Sequence, residues 1–365
     1  MSLQALVLVG GEGTRLRPLT LTRAKPALML VDRPFIRFMV EWLGRHGVTE
    51  VVMACGFGAD DLRSALGDSV PGGPSISYLE EPEPLGTAGP IRLAADAGLL
   101  GERFLVVNGD VLTDLDLSAH LAAHQERAAV ASLALYPVAD PSSYGLVRRD
   151  PDGVVREFLE KPDPDEIDTD EVNAGAYVLE RAVVELIPPG RAVSIEREIF
   201  PRLVGQGLYG LRLDGYWMDI GTPERYLQAS WDILEGAVET EVANRVDPAG
   251  VGVDEHAEVD GAAALEGPVL IESGVHLGAA AIGPRAVLGS DCDVADGARI
   301  SGSVLHSRCR VGADAVVEDS ILGAGVEVGE GATIAHGSVI GEGARIEPGA
   351  TVEHDARLEP GGVAA

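Results

Sequence analysis

From Gly10 to Lys25 the chain runs GGEGTRLRPLTLTRAK, with Arg15, Arg17, Arg23 and Lys25 set against the single acid Glu12. Gly10, Gly11 and Gly13 let the backbone approach an anion closely, and successive N–H groups can form a nest around it. Four cations in so short a stretch point to a polyphosphate as that anion. The stretch is not a P-loop, because no Gly-Lys-Ser/Thr closes it. It is not a dinucleotide fingerprint either, because Leu16 stands where the third glycine would be. Arg15 and Lys25 are the candidates for phosphate contact, whereas Arg17 and Arg23 fit ordinary surface charge.

A second signal is the distribution of lysine. Of 28 Lys and Arg residues, only Lys25 and Lys161 are lysine, and each precedes a proline. With 22 prolines in 365 residues, that double coincidence is rare. The bland reading is two survivors of a drift toward arginine. The chemical reading is that both positions need a compact ammonium that a planar guanidinium fork cannot replace, as in a tight phosphate pocket.

Two aspartates complete the set. Asp110, in NGDVLTD (108–114), lies just beyond an apolar run, and one carboxylate plus substrate phosphates is a common way to hold Mg²⁺. Asp219, in GYWMDIGTPERYL (215–227), offers a second ligand from far along the sequence. Either alone would more often be a cap or turn residue. His120 and His124 stand at i, i+4 spacing but have no third ligand nearby, and they are assigned to a solvated helix face.

These residues need a frame. ALVLV (5–9), VVMAC (51–55), ISYLE (76–80) and RFLVVNGD (103–110) are expected strands. They alternate with expected helices at 34–47, around Asp60–Leu66 and near Ala88–Ala97. That rhythm predicts an α/β, Rossmann-like domain with a mostly parallel sheet, whose ligands bind beyond the carboxyl ends of the strands. Gly10–Gly13 and Asn108–Asp110 fall at such ends.

After about Val246 the pattern changes to a six-residue apolar period, from Val253 through Leu277, Val311 and Ile346 to Leu358. Between Val328 and Ala356 small residues (Ala332, Ser338, Ala344, Ala350, Ala356) fall four places after each apolar one. This is the hexapeptide signature of a parallel β-helix. The organisation expected is a catalytic domain over 1–235, a linker over 236–250 and a β-helix over 251–360. The faces and ends of such a solenoid suit self-association, so a homo-oligomer is expected. Hexapeptide β-helices also host acyltransferases with a histidine base. His276, His306 and His336 are instead assigned to exposed positions on the coils.

Composition narrows the class further. A net charge of −30 argues against nucleic acid or an anionic membrane as partner. No stretch of 18 or more apolar residues suggests a membrane span. The N-terminal stretch lacks the pattern of a signal peptide. Cys55, Cys292 and Cys309 form neither a disulfide framework nor a zinc pattern, so a cytoplasmic location is expected.

Taken together, GGEGTRLRPLT…KP (10–26), EPLGTAGP (83–90), NGD (108–110), EKP (160–162), NAGAYVL (173–179) and WMDIGTPERY (217–226) resemble the sugar-phosphate nucleotidyltransferase family. The resemblance implies that the β-helix is left-handed. It implies that Gly10, Gly11, Gly13, Thr14, Arg15 and Lys25 handle a nucleoside triphosphate, with Glu81, Gly86 and Thr87 on the nucleotide as well. Asp110 and Asp219 would hold Mg²⁺. Lys161 would clasp the phosphate of a sugar 1-phosphate, and Gly145, Glu160 and Asn173 would contact sugar hydroxyls.

Within that family SIEREIFPRLV (194–204) and YWMDIGTPERYLQA (216–229) are most similar to members that join GTP to mannose 1-phosphate. Glu81 agrees, since a carboxylate can accept both N1–H and N2–H of guanine, where thymidylyl and uridylyl members typically carry glutamine. RAKPA (23–27), with Ala24 in place of a proline, is instead similar to glucose-1-phosphate adenylyltransferases. Thymidylyl, uridylyl or adenylyl transfer to glucose 1-phosphate is therefore the alternative, and a non-catalytic sensor of nucleotide sugars a third reading.

Overall fold

The computed structural model describes residues 2–56 and 58–365. Its packing divides the chain into two units. The first comprises residues up to Gly11 and Ile36–Trp217; the second comprises Glu12–Phe35 and Met218–Ala365.

The first unit is built on a nine-stranded mixed sheet. Its strands are β1 (Leu3–Leu8), β2 (Val48–Cys55), β3 (Ser75–Glu80), β4 (Arg103–Asn108), β5 (Ala131–Pro137), β6 (Gly145–Arg149), β7 (Val155–Glu160), β8 (Glu171–Glu180) and β9 (Leu208–Arg212). The order is β7-β6-β8-β4-β1-β2-β3, with β5 on β8 and β9 on β5. Strands β1 to β4 are mutually parallel, as the apolar runs predicted. The other half turns antiparallel at β8, which pairs with β4, β5 and β6.

Helix α1 (Phe35–Arg45) shows why the parallel half folds as it does. Ile36, Met39, Val40, Trp42 and Leu43 fall on one stripe and are buried. Arg37 and Glu41, one turn apart, pair at 2.8 Å away from that stripe. The buried indole of Trp42 donates its N–H to Leu115 O at 2.9 Å.

Helix α2 (Leu117–Glu126) carries a correction. His120 and His124 are not on a solvated face; both are fully buried. Each is hydrogen-bonded to Ser132 Oγ, at 2.9 and 2.8 Å, and His124 Nε2 reaches Glu180 Oε1 at 3.1 Å. Burial pushes His120 down to about 3, so the ring stays neutral. An i, i+4 pair reports a shared face, and only packing against β5 decides whether that face is wet.

The second unit contains three parallel sheets of seven, seven and six short strands, the architecture of a left-handed parallel β-helix. Registers such as Val251↔Val269 and Val269↔Ala286 show each coil advancing by 18 or 17 residues, which is three hexapeptides with an occasional five-residue step. The predicted apolar ladder points inward from Ile271 through Val352. At the ends it does not close: Val259, Leu265 and Leu358 are only partly buried, and Val253 is 44% exposed, because the terminal coils have a neighbour on one side only. His276 and His336 are exposed as expected, whereas His306 is buried. Among the described residues no helix is long and apolar enough to cross a membrane.

Candidate active site

In the first unit the parallel strands deliver the predicted residues to one edge. Leu8 and Asn108 are register partners, so Val9-Gly10 and Gly109-Asp110 leave neighbouring strands side by side. Gly109 makes this possible, since a Cβ there would lie 2.4 Å from Val9 Cγ1 and 2.8 Å from Leu8 O. Glu81 leaves the end of β3, with its N–H on Cys55 O at 2.8 Å. Its Oε2 accepts the Leu85 N–H at 2.9 Å, while Oε1 lies 3.4 Å from where a Cβ on Gly10 would be. Burial raises the Glu81 carboxyl above the ordinary glutamate range, partly offset by the Leu85 N–H. Gly11 has open space around it.

The loop after Glu81 is fastened to residues 193–196. Gly86 has φ 73° and a Cβ there would meet Val193 O at 2.5 Å, so only glycine fits. Thr87 Oγ donates to Glu196 Oε2 at 2.6 Å and accepts the Ile195 N–H at 2.9 Å. Its hydroxyl thus holds the loop shape. Ser194 Oγ donates to the same Glu196 oxygen at 2.8 Å.

The sugar-side candidates gather around β6, β7 and β8. Gly145 pairs with Glu160, and a Cβ at Gly145 would lie 2.9 Å from Glu160 Oε2 and 2.7 Å from Phe158. Burial and then the charge of Glu196 raise the Glu160 carboxyl, with Lys161 and Arg197 opposing. Lys161 follows in an exposed, left-handed conformation, φ 56°, its N–H on Tyr144 O at 3.1 Å. In β8 the register shifts between Asn173 and Tyr177, and bulges of this kind re-aim side chains beside sites. Gly175 there abuts the Asn108 amide, and Asn173 Nδ2 donates to Tyr177 Oη at 2.8 Å. The buried Tyr177 phenol is raised by burial first, then by the charges of Glu196, Glu160 and Asp110, with the Asn173 hydrogen bond opposing. That one hydroxyl therefore reports that the separately predicted motifs of this unit are neighbours. Tyr177 and Glu196 were not singled out from the sequence, although NAGAYVL and SIEREIFPRLV contain them.

The second unit holds the cations of the first loop. Gly13 is left-handed, φ 61°, and a Cβ would lie 3.0 Å from both Lys25 Cβ and Thr20 Cγ2. Thr20 Oγ donates to Gly13 O at 2.9 Å and locks the turn. Lys25 begins a short 3₁₀ turn with Pro26 and is buried, while Thr14 and Arg15 are exposed. Arg15 and Asp219 both press on Gly221: a Cβ there would lie 2.8 Å from Arg15 Nη2 and 3.1 Å from Asp219 Oδ2. Asp219 Oδ1 accepts from Arg225.

Among the described residues no three His, Cys, Asp or Glu side chains converge to hold a metal. One or two carboxylates with phosphate oxygens is the Mg²⁺ mode, and Asp110 in the first unit and Asp219 in the second each carry hard oxygen donors of that kind.

Comparison with known proteins agrees with this geometry. Residues 4–236 match the Nucleotidyl transferase family and residues 251–360 the GMPPB C-terminal domain. The chain is 38% identical over 311 residues to a mannose-1-phosphate guanylyltransferase of Mycobacterium tuberculosis, covering 84% of this chain and 80% of that protein. It is 35% identical to mannose-1-phosphate guanylyltransferase 1 of Arabidopsis thaliana, covering 91% and 89%. The crystal structure of HddC from Yersinia pseudotuberculosis complexed with GMP-PN superposes with a TM-score of 0.54 at 27% identity, over 63% of this chain and 99% of that one. A chain with this sheet, these motifs and these relatives belongs to the nucleotidyl transferase family.

Proposed function

We propose that this protein is a sugar-1-phosphate nucleotidyltransferase that joins mannose 1-phosphate to GTP, releasing pyrophosphate. The observation that carries the nucleotide choice is the Glu81 carboxylate seated against Gly10, at the ends of β1 and β3. A carboxylate there accepts the two adjacent donors of guanine, which uracil, thymine and adenine do not present together. The names of the relatives favour the same base and sugar.

In the reaction a phosphate oxygen of the sugar 1-phosphate attacks the α-phosphorus in line. A new P–O bond forms, the bond to the bridging oxygen breaks, and its electron pair leaves with pyrophosphate. The attacking oxygen is already anionic, so no general base is needed. The barrier lies in bringing two anions together and balancing charge on the leaving group. Arg15 and Lys25 hold the triphosphate, and Lys161 holds the phosphate of the nucleophile. Glu160, Asn173 and the backbone at Gly145 receive sugar hydroxyls. Asp110 and Asp219 would hold Mg²⁺, which when bound neutralises charge on the phosphate oxygens.

The test is pyrophosphate release with GTP, ATP, UTP and dTTP, each against mannose 1-phosphate and glucose 1-phosphate. Turnover confined to GTP with mannose 1-phosphate is expected. A preference for dTTP or UTP would remove the Glu81 argument.

A further inference from the structure

The loop that carries Lys25 runs on into a hairpin, Met29–Leu30 paired with Arg33–Pro34, whose turn is Val31-Asp32. Two contacts fasten this hairpin. At its first strand, Met29 O accepts the hydroxyl of Tyr226, which lies in the helix Pro223–Leu234. The phenol oxygen is in turn 3.0 Å from His306 Nε2, a residue of the β-helix. Since the phenol proton is given to Met29, the ring must donate Nε2–H. Burial, with Arg23 adding to it, pushes His306 down to about 4 and keeps it neutral for this role. At the turn, Asp32 Oδ2 meets Arg245 Nη1 at 2.9 Å, and the same guanidinium binds Glu272 of the β-helix at 2.7 and 3.2 Å.

The β-helix itself marks these contacts as unusual. One corner row of its coils is Asp254, Glu272, Gly289, His306, Gly323 and Gly341, each donating its N–H to a carbonyl one coil on. A Cβ at Gly289 would lie 2.8 Å from the backbone at Leu305 and His306, and one at Gly323 or Gly341 would be as tight, so glycine is the residue the row favours. The three exceptions are the three whose side chains leave the coil to meet residues outside it. Glu272 and Asp254 flank Arg245, the latter at 3.9 Å, and His306 meets Tyr226.

We propose that this corner of the β-helix sets the position of the triphosphate-binding loop, with His306, acting through Tyr226 on Met29, as a positioning residue for nucleotide binding. The inference rests on the assignment of Lys25 to the triphosphate. The β-helix is then part of how the triphosphate is bound.

The experiment is steady-state kinetics on the full chain for His306→Ala, His306→Gln, Tyr226→Phe and the double variant His306→Ala/Tyr226→Phe, with His336→Ala as an exposed control. His306→Ala should raise KM for the triphosphate about fivefold, the effect of one lost hydrogen bond. Its kcat and KM for the sugar phosphate should stay within about twofold. Gln, which keeps an N–H donor, should restore KM, and the double variant should match Tyr226→Phe alone because both break one relay. A lowered melting temperature with unchanged KM in His306→Ala would overturn the inference, as would additive effects in the double variant. If His306→Ala fails to fold, the Gln and Phe variants decide by the same readout. The measurement uses whichever triphosphate the wild type turns over. A wild type that prefers another nucleotide thus refutes the guanine assignment alone, and one that uses none refutes both.

Discussion

Lys25 and Lys161, the two lysines of the chain, occupy opposite surroundings. Lys25 is 8% exposed, its stem packed beside the left-handed Gly13 turn in the second unit. Lys161 is exposed on the first unit and is itself left-handed, φ 56°. In one case packing fixes where the charge sits, and in the other an unfavourable backbone conformation presents it. The same residue type before proline thus serves two devices. A buried ammonium should tolerate neither loss of room nor change of shape, whereas an exposed one should tolerate both structurally and fail only in binding.

Gly13→Ala should be the most damaging change, lowering kcat/KM by about a hundredfold, because it strains a left-handed turn and displaces Lys25. Circular dichroism would check that the fold persists; near-normal activity would mean the contact with Lys25 is unimportant. Lys25→Arg should follow, with a loss of about tenfold or more and a measurable fall in melting temperature, since the fork must be housed where the stem is buried. Lys161→Arg should raise KM for the sugar phosphate about tenfold with melting temperature unchanged. Equal, negligible effects of the two arginine variants would dissolve the contrast between the sites.

Glu81→Gln should weaken GTP about fivefold and carry a pH signature. Burial holds the folded Glu81 carboxyl above the ordinary glutamate range, so acid should weaken GTP binding earlier than it would at an ordinary glutamate. The sign for stability is opposite. A carboxyl that holds its proton more tightly when folded disfavours folding at neutral pH, and that penalty fades as pH falls through the raised value. Glu81→Gln should therefore flatten the pH profile of KM and raise the melting temperature slightly. Arg23→Lys should change activity by no more than about twofold, as for an exposed side chain.

Much of this was visible in the order of residues. The strands at 5–9, 51–55, 76–80 and 103–110 announce themselves because a strand buried on both faces must be continuously apolar. The β-helix announces itself because each hexapeptide repeats one inward position, from Ile271 to Val352. Chain order alone placed Gly10 and Asp110 at strand ends, and the parallel pairing of β1 with β4 put them side by side. The mixed half, β5 to β9, was not read. Its strands are held by partners distant in sequence, as Tyr177 is by Val106 and Leu133.

Residue types and their local spacing determined which groups can carry charge to a phosphate, which segments form strands, and where the solenoid begins. Those properties are local, set by side-chain chemistry and by periods of two, four or six residues. Tertiary structure decided that His120, His124 and His306 are buried and neutral, and that Thr87 is tied to Glu196. It also decided that an apparently ordinary corner of the β-helix reaches the hairpin beyond Lys25. Burial and pairing of this kind depend on which distant segment packs opposite, and no local pattern encodes that neighbour.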